Sequence, residues 1–134
     1  MILLIHKITI VNELTPLSGE NINRHRNDRE IVRKTSLQII RDFDRFGIEI
    51  KFPENLHMAY DDLFGQILPV IRNLLTDNTT TLYSLLYTID LNEKTIREGI
   101  ADMKNLEVHE VISHLLLDRE LRKVLTRDFF SRNT

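Results

Sequence analysis

The sequence predicts a mainly α-helical protein: a helical bundle of about five helices with a small N-terminal two-stranded β element. Apolar residues recur at three- and four-residue steps through most of the chain after residue 28, and β-type patterns are confined to residues 1–11 and 48–52. The chain has 134 residues, of which 42% are hydrophobic and 28% charged. This size and balance predict a single domain spanning residues 1–134.

The β element is predicted from two short segments. Residues 1–11 are rich in β-branched side chains and predict a strand, whereas residues 12–27, with proline, glycine and several asparagines, predict a polar loop. Residues 48–52 alternate apolar and polar side chains and are closed by Pro53, which predicts a second strand. Pairing the two segments would form a small sheet beside the helices.

Five helices are predicted from apolar stripes and from residues that can cap a helix end. Gly47 is placed to end the first helix in the left-handed conformation. Pro69 lies inside the second helix, where it predicts a kink rather than a break, because Gly65 four residues earlier leaves the backbone freer to adjust. The predicted ranges are 28–46, 57–75, 80–89, 93–103 and 106–130, and the expected N-terminal caps are Asn27 or Asp28, the Asp77–Thr79 loop, Asn92 and Asn105.

The last predicted helix carries two apolar stripes that point in nearly opposite directions. The first stripe, from Val108 to Leu116, can face the domain core. A straight helix cannot bury both stripes against the same core. Either the helix bends near Asp118, so that its second half folds back over the domain, or the second half leaves the domain as a protruding tail over residues 117–134. A protruding tail predicts a protein interface. Its contact residues would be Leu117, Leu121, Val124, Leu125 and Phe129.

Charge is unevenly distributed along a chain whose net charge is only −2. Residues 24–45 hold seven Lys and Arg against four Asp and Glu, whereas residues 49–110 hold five against eleven. The basic run that leads into the first helix can neutralise phosphates, but no aromatic residue interleaves with it, so base stacking is not expected. The same pattern is explained if these charged residues face solvent, or if the basic and acidic segments pair with each other within the fold.

Several classes of protein are excluded by composition. The chain has no cysteine, which excludes disulfides, thiolate metal sites and cysteine nucleophiles. No apolar stretch approaches the length of about 18 residues that a membrane span needs, and the apolar start of the chain lacks the basic region of a signal peptide. These observations predict a cytoplasmic protein that does not enter a membrane.

The last helix also contains a pattern that superficially resembles a zinc-protease motif. His109 and His114 are five residues apart and point about 140° from each other on a helix, so they cannot bind one metal as that motif requires. Glu110, His114 and Asp118 could hold a metal, but a stripe of this kind is also typical of a solvated helix face. The sequence has no glycine-rich phosphate loop and no nucleophile elbow. We therefore expect no catalytic residue, no metal site and no cofactor, and hence no enzyme.

Residues 89–103 resemble the turn and recognition helix of helix-turn-helix DNA-binding regulators. A short polar turn leads into a helix that carries the sequence Thr-Ile-Arg and a later aliphatic residue, Ile100. The same helix departs from the pattern in holding three acidic residues where phosphates would approach, and its apolar residues also suit ordinary packing. The resemblance implies that the residues facing the major groove are Asn92, Lys94, Thr95 and Arg97.

A longer resemblance covers residues 42–90. Its shared pieces are the sequences DFDRFGIEI at 42–50, AYDDLF at 59–64 and LLYTID at 85–90. In these pieces the chain resembles small proteins of unassigned function from Bacteroidetes. That resemblance implies no activity, and only that the chain is an ordinary complete protein.

Together these patterns favour a non-catalytic protein–protein interaction or assembly subunit that uses its amphipathic C-terminal helix. The expected partner is another protein or a second copy of the chain. The alternative is a helix-turn-helix DNA-binding regulator.

Overall fold

The computed structural model describes residues 24–132, with side chains from 29 to 131. This part of the chain folds into five α-helices and contains no strand, which confirms the predicted helical bundle. The predicted strand at 1–11 and most of the 12–27 loop lie outside the described residues. The helices are α1 (Arg24–Asp44), α2 (Ala59–Asp77), α3 (Thr79–Ile89), α4 (Glu93–Asp102) and α5 (Val108–Arg132), with a short 3-10 turn at Leu56–Met58 before α2.

The helix α1 begins at Arg24, earlier than the predicted caps Asn27 and Asp28, so residues 24–27 are helical and not part of a loop. It ends at Asp44, two residues before the predicted end at 46, and Gly47 adopts the predicted left-handed conformation, with a φ of +71°. The N–H of Ile48 donates to the Phe43 carbonyl at 3.2 Å, which satisfies a carbonyl that the helix leaves open.

Two asparagines cap the helices that follow them, as predicted. Asn78 and Asn92 each accept a hydrogen bond from the backbone N–H three residues later, at 3.1 and 2.8 Å. The prediction that Asn105 caps the last helix is wrong, because α5 begins only at Val108. There the side chain of Glu110 accepts a hydrogen bond from the N–H of residue 107 at 3.2 Å.

The helix α2 runs from Ala59 to Asp77 through Pro69 without a break. Gly65, four residues before the proline, is exposed and has open space around the position of a Cβ atom. The prediction that the proline does not break the helix is confirmed, and the predicted kink stays a prediction.

The segment predicted as a second strand, residues 48–52, has no strand partner among the described residues. The side chain of Gln66 on α2 takes that role: its carbonyl oxygen accepts from the Lys51 N–H at 2.8 Å, and its NH2 group donates to the Lys51 carbonyl at 2.9 Å. Burial follows the alternation only in part, since Ile50 is buried and Glu49 is exposed, but Phe52 is also exposed. The Gln66 carboxamide therefore makes the backbone hydrogen bonds that a neighbouring strand would otherwise make.

The helix α5 is the central element of the bundle and packs against each of the other four helices. Its first half meets α2 and α4: the ring of His114 stacks on Phe64 with centroids 4.4 Å apart, and Leu115 packs against Gly99. Its second half lies along α1. Among the described helices, none is long and apolar enough to cross a membrane.

Candidate interaction surfaces

The predicted contact surface on the last helix is buried inside the protomer. The exposed fractions are 0% for Leu117, 0% for Leu121, 2% for Val124 and 9% for Leu125. The prediction of a protruding tail is wrong as far as residue 131, because a helix in the centre of a bundle can bury different stripes against different neighbours. These four side chains are core residues and cannot form a surface for a partner.

Phe129, the fifth residue of that predicted surface, is half-buried. Its ring meets the ring of Phe130 edge to face, with centroids 5.6 Å apart, and Phe130 is 61% exposed. The end of α5 therefore retains a small aromatic patch, without the aliphatic stripe that was expected to continue it.

The helix-turn-helix-like segment forms two helices, α3 and α4, joined by a three-residue turn at 90–92. Asp90 adopts a left-handed conformation (φ 65°) at the end of α3. Arg119 of α5 fixes the turn by donating to the Asp90 carbonyl at 3.0 Å and to its carboxylate at 2.8 Å. The turn is thus held from the centre of the bundle.

The four residues predicted to face DNA differ in their availability. The side chain of Asn92 is engaged as a helix cap, and Thr95 is half-buried. Lys94 and Arg97 are exposed, but Lys94 lies 4.0 Å from a carboxylate oxygen of Glu98, and Arg97 lies 3.6 Å from one of Glu93. A phosphate approaching α4 would therefore meet two carboxylates beside the two cations.

The side chains of the predicted metal stripe on α5 have other roles. Glu110 caps the helix, His114 stacks on Phe64, and Asp118 accepts a hydrogen bond from the Arg122 Nε at 3.0 Å. Burial lowers the pKa of His114 below its ordinary value. The stripe therefore serves capping and packing.

A different group of possible ligand atoms lies at the start of α5, where those of Glu107, His109 and Glu110 lie within 4.8 Å of one another. The capping hydrogen bond explains why Glu110 turns towards residue 107. His109 Nδ1 lies 3.4 Å from a carboxylate oxygen of Glu107, an ordinary local pair. The cluster is thus accounted for by the helix start.

A buried acid lies where α5 meets α1. Glu120 is 0% exposed, and burial, followed by the neighbouring Asp42, raises the pKa of Glu120 to about 8. The Lys123 Nζ lies 2.5 Å from Glu120 Oε1 and opposes part of this shift, because a nearby cation favours the charged carboxylate. The same Nζ lies 3.4 Å from Asp42 Oδ2, so one cation is shared by two carboxyl groups.

The exposed face of α3 differs in charge from the other described helices. This 11-residue helix has no charged residue, in a chain of which 28% is charged. Tyr83 and Tyr87, one turn apart, are 69% and 88% exposed. The inner face is fully occupied, because Leu82, Leu85 and Ile89 are buried in the core. Charge depletion with exposed tyrosine is typical of the centre of a protein interface.

Sequence reasoning missed this face because it followed apolar stripes and treated the rest of each helix as solvated. The signal was nevertheless present. Tyr83 and Tyr87 lie opposite the leucine stripe, and residues 79–89 form a charge-free run between Asp77 and Asp90.

No protein-family model matches the sequence, and no curated protein or solved structure is significantly similar to the chain. The resemblances to Bacteroidetes proteins and to helix-turn-helix regulators therefore remain predictions.

Proposed function

We propose that this protein is a non-catalytic assembly subunit that associates with a second copy of itself through the exposed face of α3. The observation that carries the proposal is the pair of exposed tyrosines on a helix without charge. Tyrosine buries a large surface at a small cost in side-chain entropy and retains a hydroxyl for hydrogen bonding, which suits it to interface centres.

The choice of a second copy as the partner follows from charge. When identical chains meet about a two-fold axis, each residue near the axis faces its own counterpart or a close neighbour. A charged face would then oppose like charges, whereas the α3 face avoids that repulsion. The acid at the end of the helix, Asp90, is balanced by Arg119 of the same protomer at 2.8 Å.

The expected association is weak. An 11-residue helix is about 16 Å long, so the α3 face alone covers less than the roughly 800 Å² per partner of a standard interface. We therefore expect a dimer with a dissociation constant in the micromolar range, populated at high protein concentration and dissociated on dilution.

Sedimentation equilibrium over a range of concentrations tests this proposal. The wild-type chain should approach the mass of a dimer at the highest concentrations, and Tyr83→Glu and Tyr87→Glu should remain monomeric. Both side chains are largely exposed, so neither substitution should disturb the core. Circular dichroism at the same concentrations checks that the variants are folded.

Phe130→Glu is the matched control, because it places the same charge on an exposed aromatic residue at the end of α5. It should dimerise like the wild type. A wild-type chain that stays monomeric at every concentration contradicts the proposal. The proposal is also contradicted if Phe130→Glu is monomeric while the two tyrosine variants dimerise like the wild type. The contact would then lie at the end of α5.

DNA binding through α4 is the second candidate function. The three-residue turn that joins α3 to α4, held by Arg119, favours it. Exposed pairs such as Lys94 with Glu98 are weak, at about 0.3–0.5 kcal/mol, and phosphate could replace the carboxylate. Binding to random duplex should then weaken steeply with salt, and Arg97→Gln should reduce the affinity while Arg72→Gln does not. Absence of binding at low salt removes this candidate.

A further inference from the structure

The first and last helices form a long polar contact that does not belong to the α3 face. They run antiparallel: Lys34 of α1 lies 3.1 Å from Asp128 of α5, while Asp42, two turns later, lies 3.4 Å from Lys123. The basic segment at residues 24–45 is thereby placed beside residues 118–132, which hold five Lys and Arg against three Asp and Glu. The fold thus brings two basic segments that are distant in the sequence onto one surface.

Two cavities open along this contact and share the side chain of Arg127. The first has a volume of about 380 Å³ and the second about 410 Å³. Both fall within the range of about 300–1,000 Å³ that is typical of small-molecule sites. Among the described residues, four cations line the first cavity against a single acid, Asp128, and two aliphatic residues share its wall. The cations are Arg33, Lys34, Arg41 and Arg127, and the aliphatic residues are Leu37 and Val124.

Two of these four cations already have acidic partners. Arg33 pairs with Glu30 one turn earlier on α1, and Lys34 pairs with Asp128. Their charges are therefore balanced within the protein. A ligand that binds in the first cavity would meet mainly the charge of the remaining two cations.

Arg41 and Arg127 converge on one neutral group. Both donate from Nη2 to the side-chain oxygen of Gln38, at 3.1 and 2.7 Å. Neither makes an ion pair with a carboxylate among the described side chains. The amide NH2 of Gln38 donates to Asp42 at 3.0 Å, which fixes the amide so that its oxygen points at the two guanidinium groups. Two positive charges are thus held together at the cavity, and no described carboxylate pairs with either of them.

We propose that the cavity between α1 and α5 binds the phosphate group of a small phosphorylated compound. A phosphate monoester carries about −1.5 to −2 charges at neutral pH, which matches the two unbalanced guanidinium groups. Guanidinium groups bind phosphate through paired hydrogen bonds, and two of them can hold one phosphate from two sides. The aliphatic wall formed by Leu37 and Val124 would contact the organic part of the compound.

The geometry favours a small compound over a nucleic acid. No residue that lines either cavity is aromatic, so there is no surface on which a base could stack. The unbalanced charge is also confined to one pair of arginines, whereas a nucleic-acid backbone needs cations repeated along its length.

Titration with inorganic phosphate, followed by NMR of the arginine Nε–H signals, tests this proposal. Phosphate should shift the signals of Arg41 and Arg127 in the millimolar range, while acetate at the same ionic strength should not. Arg41→Gln and Arg127→Gln should each weaken phosphate binding about tenfold or more, because each removes a charge-assisted hydrogen bond. Both residues are exposed, so the variants should remain folded.

Arg45→Gln is the matched control, since Arg45 is exposed just after α1 and lines neither cavity. It should bind phosphate like the wild type. Equal affinity in all four proteins would overturn the proposal, as would the absence of any shift with phosphate. An acetate affinity equal to that for phosphate would show general attraction of anions and would overturn it as well.

Discussion

The two halves of α5 pack by different means. The first half uses apolar contacts and a close approach: a Cβ atom at Gly99 on α4 would lie 2.8 Å from the Leu115 Cδ1. The second half combines the buried leucines with a polar network between α1 and α5 that includes Gln38, Asp42 and Glu120. The first half therefore depends on shape, whereas the second depends also on protonation.

This difference shows why an apolar pattern on one helix cannot distinguish a core from an interface. Leu121 and Leu116 lie on different sides of α5, and both are 0% exposed, because α1 covers one side and other helices cover the rest. The neighbours of a helix decide which of its stripes is buried.

The largest expected effect comes from shortening a leucine in either half. Leu121→Ala in the second half and Leu116→Ala in the first should each lower the free energy of unfolding by about 2–5 kcal/mol, since both side chains are fully buried. Urea denaturation at neutral pH measures the loss. A change below about 0.5 kcal/mol for Leu121→Ala, the size typical of surface positions, would mean that the second half is peripheral.

A pH-dependent effect should be specific to the second half. The folded-state pKa of Glu120 is about 8, against an ordinary value of 4.5, so the native state holds one more proton than the unfolded chain between these values. The stabilisation is complete below pH 4.5 and is lost as the pH rises through 8. The free energy of unfolding should therefore fall as the pH rises from 4.5 to about 8, with a slope of at most about 1.4 kcal/mol per pH unit, and should level off at higher pH.

Glu120→Gln should remove most of that slope, because the amide does not titrate. Asp42 and Lys123 face the same site, so the wild-type slope reports the whole cluster and the variant isolates the part due to Glu120. Burial also lowers the pKa of His114, but this residue is present in both proteins, so its contribution cancels when the two pH profiles are compared. Parallel pH profiles for the two proteins would contradict the assignment.

The smallest effects distinguish a close contact in the first half from an open position. Gly99→Val should destabilise the protein by about 1–3 kcal/mol, because its side chain meets Leu115 and Val111. Gly65→Ala, on the exposed side of α2 with open space around it, should stabilise the protein by about 0.5–1 kcal/mol. Thermal unfolding of the two variants beside the wild type measures both shifts, and a stabilising Gly99→Val would show that α4 does not approach α5 closely.

Most of the helical framework could be predicted from the sequence because its signals are local. Asn78 and Asn92 cap the helices that follow them, and Gly47 adopts the left-handed conformation shortly after the end of α1. The predictions failed where a distant residue decided the outcome: Gln66 replaced a strand partner for residue 51, and α1 covered the second stripe of α5. The arginine pair at Gln38 is also non-local, since Arg41 and Arg127 are far apart in the chain.

The most direct test of the α3 interface is cross-linking within a mixture of unlabelled and 15N-labelled chains, with a photoreactive amino acid at position 87. The account predicts cross-linked peptides of mixed isotope content that join α3 of one copy to α3 of the other. Cross-links from position 87 to α1 or α5 of the second copy, or products confined to single chains at high protein concentration, would contradict it.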